Sequence, residues 1–301
     1  MPLWIPITIA AAFLQNLRSA LQRQLARDLT ASSATYVRFL FGLPVALLYL
    51  IALHFSLDVE FPIPTPVFYL YATIGGVAQI VGTVLLVALF SFRNFVVGTT
   101  YSKTETVQTA LFGVLVLGET ISAGAGIGIF VSLLGVFAIS VARTEITTAA
   151  LLSSITSRTA LMGIGSGAAY GIAAVCYRAG SLSLGMEGFL VPAAFTLAVV
   201  LTIQTVLMTV WLVWRDPASL LATLRSWPTS LAIGLAGAVG SIGWFTAMTL
   251  ENAAYVRALG QIELVFTFAV SWIWFRESSN ARELSGVLLI VAGLVVLVLG
   301  T

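Results

Sequence analysis

The chain has 301 residues, 59% of them hydrophobic and 9% charged, with a net charge of +2. Soluble domains carry about 25% charged residues, so this chain cannot build a water-facing surface and most of its exterior must face lipid. All but one of its fourteen basic residues are arginine, scattered along the chain, which leaves no footprint for nucleic acid. The single cysteine, Cys176, excludes an internal disulfide. No Cys/His spacing fits a metal site, and there is no Gly-x-x-x-x-Gly-Lys loop for ATP, so neither metal nor cofactor is expected.

A helix needs about 20 mostly apolar residues to cross a bilayer. Windows of that kind fall near 3–22, 34–54, 66–90, 95–117 and 123–142. A second set falls near 160–179, 188–213, 229–249, 254–275 and 284–300. The chain is therefore expected to be an all-α integral membrane protein with about ten transmembrane helices. The breaks are polar or proline-rich, as at Arg27-Asp28, Asp58 to Pro66, Arg143 to Arg158 and Arg215-Asp216-Pro217. They are too short for a soluble domain, and the first apolar stretch reads as a retained helix without the basic start of a cleaved signal.

The two halves, 1–150 and 151–301, read as copies of one five-helix repeat. A shift of 158 positions puts Glu105 on Glu263, Glu119 on Glu277 and Asn94 on Asn252. The same shift aligns Gly76 with Gly234, Gly82 with Gly240, Gly128 with Gly286 and Gly135 with Gly293. Coincident glutamates weigh most, because the chain has only 12 acidic residues. An odd number of helices per copy makes the second enter the membrane from the opposite side, the inverted repeat from which many secondary transporters are built.

Several short motifs carry a resemblance. They are Tyr36-Val37-Arg38-Phe39-Leu40 opening the second helix, Leu117-Gly118-Glu119 closing the fourth and Phe275-Arg276-Glu277 closing the ninth. Glycine-rich final helices, Gly124 to Gly135 and Gly286 to Gly293, complete the pattern. Across its whole length the chain resembles the drug/metabolite transporter superfamily, in its ten-helix branch of EamA-type repeats. The resemblance implies a permease of small metabolites. Family members usually carry proline in the middle of helices four and nine, where this chain has Lys103-Thr104-Glu105 and Gln261-Ile262-Glu263.

Loop charge sets orientation, because basic residues favour the cytoplasm. Arg23, Arg27, Arg93, Arg143, Arg158, Arg215, Arg225, Arg276 and Arg282 fall on one side, with only Arg178 and Arg257 on the other, each near a helix end. That reading puts both termini outside a bacterial inner membrane, whereas the resemblance implies termini in the cytoplasm.

Ionisable groups inside a span usually face a cavity and mark a pathway. Lys103, the one lysine, and Glu105 lie inside the fourth span. Glu105 precedes Glu119 by 14 residues, roughly 21 Å of helix. Residues two apart point in different directions on a helix, so Lys103 and Glu105 each need another partner. Glu263 at matching depth completes a cluster with Gln108 and Gln261, which reads either as a substrate or proton site or as a static polar lock between two helices. Arg18, with Gln15, Asn16 and Gln22, offers positive potential near the first helix. Arg38 and Arg178 read better as snorkelling to headgroups. Tyr101 and Trp244 are cavity-lining candidates, and Glu119 and Glu277 are expected in surface or gating contacts.

The expected function is secondary active transport of a small polar or zwitterionic metabolite, with export the preferred direction, proton coupling left open, and alternating access between the two repeats. A lipid or polyprenyl-phosphate flippase, or an uptake permease, on the same fold is the alternative. A channel would need a continuous polar pore, and an enzyme a nucleophile–base or metal constellation, and neither is visible. The expected partners are a small-molecule substrate, membrane lipid and, in a coupled cycle, protons; a homodimer is left open.

Overall fold

The structure is a computed structural model that describes residues 2–25, 31–89, 92, 95–142, 154–225, 227–273 and 280–301. Among these residues every regular element is a helix: α1 Trp4–Leu25, α2 Ala31–Leu57, α3 Pro66–Leu89, α4 Phe95–Ser102, α5 Glu105–Leu117, α6 Ala123–Ala142 and α7 Arg158–Ser183. They continue with α8 Leu190–Arg215, α9 Pro217–Arg225, α10 Trp227–Leu250, α11 Ala253–Leu259, α12 Ile262–Ile273 and α13 Ala281–Gly300. Among the described residues eight stretches are long and apolar enough to cross a membrane, Ala253–Val270 among them. The chain is an all-α, multi-pass membrane protein.

Helix ends follow local chemistry. Asn252 caps α11 by accepting from Ala254 N–H, and Asn280 caps α13 by accepting from Glu283 N–H at 2.8 Å. Gly118 ends α5 in the left-handed conformation at φ 65°, which favours a residue without a Cβ. Between the seventh and eighth expected spans a loop was anticipated, and α9 stands there instead. Pro217 opens it and Asp216 Oδ1 accepts from Ser219 N–H at 3.1 Å, a start signal readable in the sequence.

The chain divides into two compact units: Met1–Ile80 with Cys176–Glu251, and Val81–Val175 with Asn252–Thr301. Each unit draws on both halves of the sequence. In the first, α1, α2, α8 and α10 pack together, with Val37, Phe41 and Ile233 in one apolar cluster and Leu50, Ala194 and Ala198 in another. Gln204, fully buried on α8, donates to Gly76 O at 3.1 Å and Gln79 Oε1 at 2.8 Å, satisfying polar groups that lipid cannot.

The second unit is drawn together by glycine. A Cβ on Gly128 would lie 2.6 Å from Gly293 O, and one on Gly135 would lie 2.6 Å from Gly286 O, so α6 and α13 meet backbone to backbone. Replacing each residue by its counterpart 158 positions away converts one of these contacts into the other. On α7, Gly163, Gly167 and Gly171 form a stripe at intervals of four residues. Their Cβ positions fall 2.0 Å from Gly98 O, 2.9 Å from Ser102 O and 3.1 Å from Thr109 Oγ1, which seats α4 and α5 directly on α7.

Candidate substrate site at two broken helices

The fourth and ninth spans, each expected as one continuous helix, are both interrupted. The first breaks at Lys103-Thr104 between α4 and α5, the second at Gly260-Gln261 between α11 and α12. The interruptions are counterparts: adding 158 to Lys103 gives Gln261, and adding it to Glu105 gives Glu263. At each, the backbone tightens to i→i−3 bonds. Lys103 N–H reaches Thr100 O and Thr104 N–H reaches Tyr101 O, both at 3.1 Å; Gln261 N–H reaches Ala258 O at 3.0 Å and Glu263 N–H reaches Gly260 O at 3.1 Å. Thr104 also turns its hydroxyl back to Tyr101 O at 2.6 Å, competing with the regular ladder. No proline is needed for the break.

Two ion pairs join the broken helices. Lys103 Nζ donates to Glu263 Oε1 at 2.8 Å, linking the first break to the start of α12. Arg257 on α11 pairs with Glu105 at the start of α5. Lys103 and Glu105 thus find separate partners on the other broken helix, as their spacing required. The pairs differ in openness. Lys103 and Glu263 are 28% and 19% exposed, Arg257 and Glu105 only 18% and 8%. Two cations and two carboxylates leave the group neutral overall, which suits a low-dielectric position.

The other anticipated residues divide between the units. Gln108 Nε2 donates to Thr104 Oγ1 at 2.7 Å and to Ile164 O at 3.4 Å, which ties the first break to α7. Gln261 is buried in the second break. Tyr101 is buried beside Val97 and Ala160 with its ring against Phe137. Arg18 and Trp244 belong to the first unit, Arg18 half-buried on α1 and Trp244 buried on α10. The Arg18 and Arg38 stems both pack on the bare face of Gly237, whose Cβ would lie 3.2 Å from Arg18 Cδ and 3.6 Å from Arg38 Cγ. The side chain of Gln22, and Asn94 and Glu277 entirely, lie outside the described residues.

Two arginines differ from expectation. Arg178 does not snorkel; its Nη1 donates to Met248 O at 2.8 Å and Glu251 O at 2.6 Å, holding carbonyls in the last turn of α10 and just past its end. Arg257, counted only as a charge near a helix end, is a member of the cluster. A signal for it existed. One lysine cannot balance two interior carboxylates, and Arg257 was the one basic residue inside the 254–275 window.

The EamA-like transporter family profile matches residues 2–141 and 157–299. The chain belongs to the EamA-like transporter family. The pseudopaline exporters CntI of two Pseudomonas aeruginosa strains are each 32% identical over 91 residues, covering 30% of this chain and 32% of theirs. The chain thus spans about a third of the length of these relatives. A solved crystal structure shares the fold, with TM-score 0.71 over 98% of this chain and 96% of its own at 16% identity.

Proposed function

We propose that this transporter exports a small polar or zwitterionic metabolite, and that its two sequence halves act as inverted repeats exchanging inward- and outward-open states. The carrying observation is the pair of crosswise ion pairs at the two helix breaks. Discontinuous helices near the bilayer midplane are where secondary transporters bind substrates and coupling ions. A zwitterion has the complementary charges: its carboxylate takes Lys103 from Glu263, and its ammonium takes the carboxylate so released. The more exposed pair is the one a solute parts, and the drier Arg257–Glu105 pair holds the helices in register meanwhile. A released glutamate can carry a proton in place of substrate, which is the exchange a proton-coupled exporter needs. The matches to pseudopaline exporters favour outward transport.

Proteoliposomes under an imposed pH gradient test this. Substrate should accumulate against its concentration with wild type, and Lys103→Met and Glu263→Gln should each abolish accumulation while the proteins remain folded. Accumulation by both variants at the wild-type rate would refute the assignment. Movement of long-chain lipid substrates alone would favour a flippase.

A further inference from the structure

The second unit is asymmetric at its charged centre. Exchanging counterparts 158 positions apart turns the Gly128–Gly293 contact into Gly286–Gly135, and both contacts exist. The same exchange turns Lys103–Glu263 into Gln261–Glu105. There the correspondence stops. Glu105 takes its positive charge from Arg257, four residues before Gln261, and the counterpart of Arg257 is the neutral Thr99. Gln261 holds the position that carries a cation in the other half. It is only 6% exposed, and among the described residues its Oε1 accepts no hydrogen bond.

A buried amide oxygen left without a donor is unfavourable, and such groups in native structures call for a specific reason. We propose that Gln261 is a specificity-determining residue whose Oε1 accepts a hydrogen bond from an N–H donor of the bound substrate. This rests on the substrate site described above and deepens it. Lys103, in the first break, reads the anionic end; Gln261, in the second, reads a donor on the same molecule. A site built to bond an N–H group rejects the analogue lacking it far better than an apolar pocket rejects a lost methylene. The favoured ligands are therefore amino acids or amino-acid-like zwitterions, and their desamino counterparts are rejected.

The test uses purified full-length protein and thermal unfolding, with the proteinogenic L-amino acids as probes, each paired with the desamino acid of the same carbon skeleton. Gln261→Met keeps the length of the side chain and removes the oxygen. Without ligand it should melt at the wild-type temperature or above it, because among the described residues the side chain makes no hydrogen bond that the substitution would remove. At least one amino acid should stabilise wild type at about ten- to hundredfold lower concentration than its desamino partner, and Gln261→Met should erase that preference. A lower melting temperature for ligand-free Gln261→Met would make the residue structural and overturn the proposal. So would equal stabilisation by both members of every pair, or stabilisation by none. Lys103→Met separates the two levels: if desamino acids stabilise wild type and lose their effect in Lys103→Met, the carboxylate site stands and only the role of Gln261 falls.

Discussion

Removing one cation from each ion pair should cost unequal amounts. At 2.8 Å and an effective dielectric of 20, the Lys103–Glu263 attraction is about 6 kcal/mol before desolvation. Desolvation of two ions costs several kcal/mol each, so the intact pair contributes little net stability. An orphaned buried charge is another matter, at about 3–5 kcal/mol. Glu105, 8% exposed, should incur that full cost in Arg257→Met. Glu263, 19% exposed beside a 28% exposed lysine, is better hydrated, and Lys103→Met should cost about half as much. Equilibrium unfolding in mixed dodecyl maltoside–SDS micelles, followed by the fluorescence of the seven tryptophans, measures both. The doubles Arg257→Met/Glu105→Gln and Lys103→Met/Glu263→Gln should recover most of the loss, since no charge is then stranded. Equal costs for the two single variants, or doubles no better than singles, would refute the reasoning.

Gly163→Val puts a side chain where even a Cβ lies 2.0 Å from Gly98 O. It should prevent α7 from seating α4 and lower the unfolding midpoint sharply, while Gly126→Ala, whose Cβ meets nothing closer than 3.9 Å, should leave that midpoint unchanged. Gln204→Leu removes the buried donor to Gly76 O and Gln79 Oε1 and should cost about 0.5–1.5 kcal/mol per lost bond in the same assay. Arg178→Met frees the carbonyls of Met248 and Glu251 and should speed hydrogen exchange at the end of α10 by about tenfold or more, corresponding to about 1.5–3 kcal/mol for a bond to a charged donor.

Membrane class and most helix positions were legible because apolar length is a strong signal: the expected 66–90 and 123–142 are observed as Pro66–Leu89 and Ala123–Ala142. Lys103, Glu105 and Glu263 were legible for the complementary reason, that charge within such a stretch is costly and conspicuous. The breaks were not. Lys103-Thr104-Glu105 contains no proline or glycine, and its interruption depends on tertiary seating against Gly167 and on the Thr104 hydroxyl. Arg257 was hidden by its position near the start of a window, where a basic residue ordinarily reads as an anchor. The unsatisfied oxygen of Gln261 has no trace in the sequence, since satisfaction is a property of neighbours.

Alternating access requires water and solute to reach the charged centre from each side of the membrane in turn. Cys176 is the single cysteine and is buried, so a Cys176→Ser background carrying Lys103→Cys gives one reporter. A membrane-impermeant thiosulfonate applied to one face at a time should label that position from both faces. Labelling from one face only, or from neither in folded protein, would contradict an alternating site at the helix breaks.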